Sequence, residues 1–77
     1  MKEKVRAICE DAVKGKLSAK VFYEKINAIA EDENTDGDLS ALLEDAIMEL
    51  EMEGGSSAGV MKKVIREAAE MILEGLR

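Results

Sequence analysis

The chain contains no histidine, no proline and no tryptophan, and only one cysteine, one phenylalanine and one tyrosine in 77 residues. Each absence removes a class of chemistry. A single thiol cannot close an internal disulfide, and without histidine both the commonest metal ligand and the one side chain that titrates near neutrality are missing. Cys–His nucleophilic catalysis and most acid–base catalysis go with them, so the sequence predicts a non-enzyme that needs no cofactor. No run approaches the roughly 18 consecutive apolar residues that a membrane span requires. The opening Met1-Lys2-Glu3-Lys4 leads into no apolar block of the signal-peptide kind. Together these predict a cytoplasmic chain with no membrane partner, and the length suits one domain.

Base is absent from the middle of the chain. Residues 26 to 61 hold no lysine or arginine and carry ten acids: Glu31, Asp32, Glu33, Asp36, Asp38, Glu44, Asp45, Glu49, Glu51 and Glu53. Residues 1 to 25 hold seven bases against four acids, residues 62 to 77 four bases against three, and the formal net charge is -6. A one-sign field of this kind repels nucleic acid and anionic membrane and speeds encounter with a basic protein surface. Lys2, Lys4 and Arg6 are a basic cluster, yet no aromatic platform or glycine-rich loop accompanies them, so no direct nucleic-acid contact is predicted. The acidic block is either a solvated face that keeps a small protein soluble or an electrostatic docking face.

What is present is helical periodicity, in four segments. Val5, Ile8, Cys9, Ala12 and Val13 share one face of a segment over about 2–14, which Gly15 is placed to end. Ser18 is positioned to cap a second over 19–31, with Leu17 as staple and Val21, Phe22, Ile26, Ile29 and Ala30 on one face. The run Asp32-Glu33-Asn34-Thr35-Asp36-Gly37 breaks that pattern. Asp38 then reads as cap of a third segment over 39–53, in which Leu39, Leu42, Leu43, Ala46, Ile47 and Leu50 form an apolar stripe. Gly54-Gly55-Ser56-Ser57-Ala58-Gly59 reads as a flexible linker with a cap, before a fourth segment over 58–75 that is apolar over a wide arc, from Val60 to Leu76. Nothing reads as a strand. Short connections favour antiparallel neighbours, so the expected fold is all-α, a small four-helix bundle or orthogonal four-helix domain. The wide arc of the fourth segment leaves a homodimer open.

At about 100° per residue, the third segment places Ala41, Met48 and Met52 opposite its apolar stripe. Asp45, Glu49 and Glu53 run along one side of that strip and Glu44 and Glu51 along the other. Like charges at i, i+4 and acids in a last helical turn both oppose helix stability, so these acids stand where local preference would not put them. An apolar strip with a charged rim is a common form of small recognition surface, and methionine adapts its shape to a partner. The predicted contact surface is therefore Glu44, Asp45, Glu49, Glu51 and Glu53 as rim, Met48 and Met52 as centre, and Asp36 and Asp38 as an extension. The other reading of Met48 and Met52 is as scattered surface apolars.

Three motifs bear on function. Asp32, Asn34, Asp36 and Asp38 match alternate positions of a calcium loop with Gly37 at six, but position twelve is Leu43, and Glu44 lies one residue late. No metal is therefore expected, with this loop as the one calcium candidate. Asp38-Leu39-Ser40-Ala41-Leu42-Leu43-Glu44-Asp45-Ala46-Ile47-Met48-Glu49-Leu50-Glu51 resembles the acidic second helix of the acyl carrier proteins, which implies a carrier with Ser40 as attachment site. That family places Asp before the serine and Leu after it, where this chain has Leu39 and Ala41. Ala12-Val13-Lys14-Gly15-Lys16-Leu17-Ser18-Ala19-Lys20-Val21-Phe22, followed by a leucine-rich third helix and an apolar fourth, is similar to the helix junction of the small immunity proteins of the colicin D and contact-dependent inhibition type. That resemblance implies an acidic inhibitor seated on a basic nuclease. Cys9, on an apolar face, reads as a buried hydrophobe, and Tyr23 as a half-buried residue at the edge of one.

The function expected from these observations is a small acidic inhibitor that docks on a basic nucleic-acid-processing enzyme or toxin, of immunity or anti-defence type. The alternatives are an acyl-carrier-like domain using Ser40 and a structural helical dimerisation module.

Overall fold

Short side-chain signals set where each helix starts and stops. The computed structural model describes residues 2–55 and 57–76. Its helices are α1 (Lys2–Val13), α2 (Ala19–Glu31), α3 (Gly37–Met52) and α4 (Ala58–Gly75). The ranges of α2 and α4 are those the periodicity predicts, whereas α1 stops one residue early and α3 starts two residues early and stops one early. Ser56, part of the expected linker, lies outside the described residues.

At the end of α1, Gly15 takes φ +78°. Its N–H donates to the Ala12 carbonyl at 3.1 Å and the Lys16 N–H donates to the Asp11 carbonyl at 2.9 Å, the paired bonds of a Schellman stop, which calls for a residue without a Cβ. The side-chain oxygen of Ser18 accepts the Val21 N–H at 3.3 Å, and that of Ser57 the Val60 N–H at 3.4 Å. Ser18 is the predicted cap, and Leu17 before it packs against the core.

At α3 the cap differs from expectation. Asp36, not Asp38, precedes the first helical residue, and its carboxylate accepts the Asp38 N–H at 3.2 Å. Asp38 lies in the first turn, where its charge still favours the positive end of the helix dipole. The sequence misleads because Gly37 looks like a breaker, yet the cost of glycine in a helix applies to interior positions and Gly37 is the first helical residue.

The helices form an all-α four-helix bundle. α1 packs on α4, α2 on α3 and α3 on α4, with lighter contact between α1 and α2 and between α2 and α4. α1 and α3 are therefore the diagonal pair. The radius of gyration, 11.3 Å, matches the about 11 to 12 Å expected when a chain of this length forms one body.

The largest side chains sealed from solvent are Phe22, Ile26, Leu43, Ile72, Val5 and Cys9, and every helix supplies at least one. Among the described residues no polar or charged side chain is buried. Two apolar residues expected in the core face outward instead: Val21 is 37% exposed and Val60 45%. Leu42 is half-buried, lying so close to α4 that a Cβ on Gly75 would come within 2.7 Å of it.

Gly15→Ala is expected to lower stability by about 1 kcal/mol through the left-handed φ, seen as a lower urea midpoint at unchanged slope. Phe22→Ala is expected to cost about 3 to 5 kcal/mol and to abolish the cooperative transition; a variant that still unfolds near the parent midpoint would show that Phe22 does not hold the bundle together.

Candidate docking groove between α2 and α3

The outer surface of α3 is apolar along its crest. Met48 is 61% exposed and Met52 80%, although both are large side chains that a core would ordinarily claim. Ala41 lies on the same strip and is exposed. The two rails of acids beside this crest separate. Glu44 and Glu51 fall on the flank toward α2, where with Asn27, Ala30, Glu31, Ile47 and Met48 they line a shallow depression of about 300 Å³. Asp45, Glu49 and Glu53 do not line it; Asp45 is exposed and the other two are half-buried. They occupy the opposite flank, the side on which Leu42 meets α4.

Glu51 is not the free rim charge the sequence suggested. The Tyr23 hydroxyl donates a hydrogen bond to its Oε1 at 3.0 Å, joining α2 to α3 across the groove. Beyond this bridge lies a second hollow of about 260 Å³, lined by Ala19, Lys20, Tyr23, Leu50, Glu51, Gly54 and Met61. The bond to Glu51 is the main reason the Tyr23 phenol ionises above its ordinary range; desolvation and the negative charges of Glu51 and Glu31 add to it. Tyr23 is half-buried against the core, as its place at the edge of the apolar arc implied.

Asp36 and Asp38 do not extend this surface. They sit at the other end of α3, in a hollow with Lys2, Leu39, Leu42, Gly75 and Leu76. A rise of ~1.5 Å per residue puts Asp36 about 24 Å along the axis from Met52.

The calcium-loop residues are used locally. Asp32 Oδ1 accepts the Asn34 N–H at 2.8 Å, while Asp36 caps α3. Among the described residues no group of three or more Cys, His, Asp or Glu side chains is placed to hold a metal ion. The Ser40 hydroxyl donates to the Ala30 carbonyl at 2.9 Å, and the Thr35 hydroxyl to the Ile29 carbonyl. Ser40 thus serves a carbonyl in the last turn of α2 that lacks an intrahelical donor, while Thr35 adds a second donor to the Ile29 carbonyl, which already accepts the Asp32 N–H at 3.2 Å. An attachment serine needs a free, exposed hydroxyl, and that of Ser40 is engaged and half-buried. Cys9 has no exposed surface, and burial, aided by Glu10, pushes its thiol up to about 12. A thiol so placed is almost wholly protonated at neutral pH and inert.

The periodicity of α3 marks Glu44, Met48 and Glu51, but it does not reveal the α2 wall of the groove. Tyr23, Asn27 and Glu31 stand at i, i+4, i+8 beside the apolar arc of α2, and that stripe was the available signal.

No protein-family model, curated protein or solved structure matches this chain. What the fold and the site define is thus a class: a small all-α four-helix bundle with an acid-walled groove.

Two outcomes follow from these environments. The Tyr23 phenol is expected to ionise above the range of free tyrosine, followed by tyrosinate absorbance, and to return toward it in Glu51→Ala. Because the folded value is the raised one, the stability this bond contributes is fully present below the unfolded value and is lost as pH rises through the folded value. A midpoint unaffected by Glu51→Ala would show that the bond does not form in solution. For Cys9, alkylation at pH 8 is expected to be at least about 100-fold slower than in a model peptide, accelerating with urea in step with unfolding. Rapid modification of the native chain would contradict the burial.

Proposed function

We propose that this chain is a small acidic inhibitor that docks on a basic surface of a nucleic-acid-processing enzyme or toxin, of the immunity or anti-defence type. The observation that carries the reading is the exposure of Met48 and Met52, 61% and 80%, on a helix inside a segment with ten acids and no base. A face kept only for solubility has no use for two exposed methionines on its crest. A docking face does, because apolar contact at the centre supplies affinity while the charged rim supplies steering and selectivity. The bundle also supports a one-sided role. α1, which carries Lys2, Lys4 and Arg6, is diagonal to α3 and brings Lys2 near it only at the end that holds Asp36 and Asp38, so a partner seated on the Met48–Met52 crest sits away from that contact. Occupying a basic surface evolved to hold nucleic acid would block that surface to its substrate.

The test combines capture with charge reversal. Immobilised chain is expected to retain a basic enzyme from lysate at low salt and release it at high salt. Asp45→Lys, Glu49→Lys and Glu53→Lys together are expected to abolish retention while leaving the helical circular dichroism intact. Retention that survives both high salt and the triple variant would rule out an acidic docking face, and a salt-insensitive homodimer with no captured enzyme would favour a structural dimerisation module.

A further inference from the structure

The groove described above has two acidic walls and an apolar floor, and its chemistry specifies more than a generic basic partner. Glu31 stands on the α2 side and Glu44 and Glu51 on the α3 side; Ala30 and Ile47 line the groove between the helices, and Met48 borders it from the crest of α3. No basic side chain lines it, so its own walls carry charge of one sign, and an anionic lipid or a nucleic acid would be repelled. The carboxylates are spread along the groove rather than gathered on a point: among the described residues none form a group able to hold a metal ion. The complementary ligand is therefore an extended cation with an apolar stem.

We infer that the α2–α3 groove receives an arginine side chain projecting from the basic partner. This rests on the docking reading above and names its anchor. A guanidinium presents five donors in a rigid plane and is weakly hydrated, so it can reach acceptors on both walls at once, whereas an ammonium concentrates three donors at one strongly hydrated point. Its methylene stem would lie on Ala30, Ile47 and Met48, as long cationic side chains do on apolar surface. The Asn27 side chain, also in the lining, adds a neutral acceptor. The Tyr23 hydroxyl occupies one oxygen of Glu51, which fixes the carboxylate in place and leaves its other oxygen to accept from the ligand.

The probe is a synthetic amphipathic helical peptide with one central arginine among leucines, with lysine and citrulline versions. Each is titrated to millimolar concentration into the full-length labelled chain and followed by amide chemical shifts. The arginine peptide is expected to move the amides of Asn27, Ala30, Glu31, Ile47 and Met48. Citrulline, which removes the charge, is expected to weaken binding by about tenfold or more, and lysine to fall between them. Glu31→Lys is expected to weaken the arginine peptide by about tenfold or more with the helical circular dichroism unchanged. Equal affinity for citrulline, no binding by any peptide, or the same amides moving when the chain alone is concentrated (which would give the groove to a second copy) would each overturn the assignment. Shifts confined to Asp45, Glu49 and Met52 and indifferent to Glu31→Lys would remove the groove and leave the acidic docking face standing. Arginine-specific binding in the groove without any captured enzyme would keep the groove and remove the inhibitor reading.

Discussion

Phe22, Ile26, Leu43, Ile72, Val5 and Cys9 meet in one cluster with no exposed surface, and the remaining features of the bundle depend on that contact. At 12 and 13 residues α1 and α2 are too short to persist alone in water, and the longer α3 and α4 also owe most of their stability to packing, so each holds its shape because its apolar stripe is covered by the others. With one phenylalanine in the whole chain, the cluster is built of medium aliphatics around a single ring. Packing of that kind tolerates no buried charge, because an unpaired ion in so small a core would cost more than the core could offset. The described core accordingly has none.

That constraint places the acids. In a segment with ten carboxylates and no base, α3 must bury Leu39, Leu43, Ala46, Ile47 and Leu50, and only its outer half remains for charge. The carboxylates thus crowd into two rails flanking the methionine crest. One rail is walled by α2 and becomes a groove, while the other lies toward α4. Mutual repulsion along each rail works against the helix, a cost met by tertiary packing and by the caps at Asp36 and in the last turn of α2.

Much of this could be read from sequence. Periodicities of 3.6 residues located the helices because their apolar residues recur without interruption, and Gly15 and Ser18 were legible because stop and cap chemistry is local. The cap of α3 was not, since Asp36 and Asp38 are chemically identical and differ only in where the chain turns. Spacing alone puts Val21 in the core, but no neighbouring helix covers it fully and it stays 37% exposed. The groove was half legible. The α3 wall follows from one helix wheel, whereas Tyr23 to Glu51 and Ser40 to Ala30 are pairings across 28 and 10 residues that no periodicity encodes. They depend on which flank of α3 turns to α2, and that is decided by α4 taking the other.

The pairing of α1 with α4 has a consequence for biosynthesis. α2 and α3 are neighbours in sequence, clasped at their junction by the Ser40 and Thr35 hydroxyls, and can pair as soon as both have left the ribosome. α1 is made first, yet its principal partner is made last. Until α4 emerges beyond the Gly54-Gly55 tether, α1 has only its lighter contact with α2, and part of its apolar stripe stays uncovered. Ribosome-stalled chains released before and after α4 would show the Cys9 thiol open in the first and closed in the second, so the order of translation sets when this bundle becomes resistant to oxidation and to proteases.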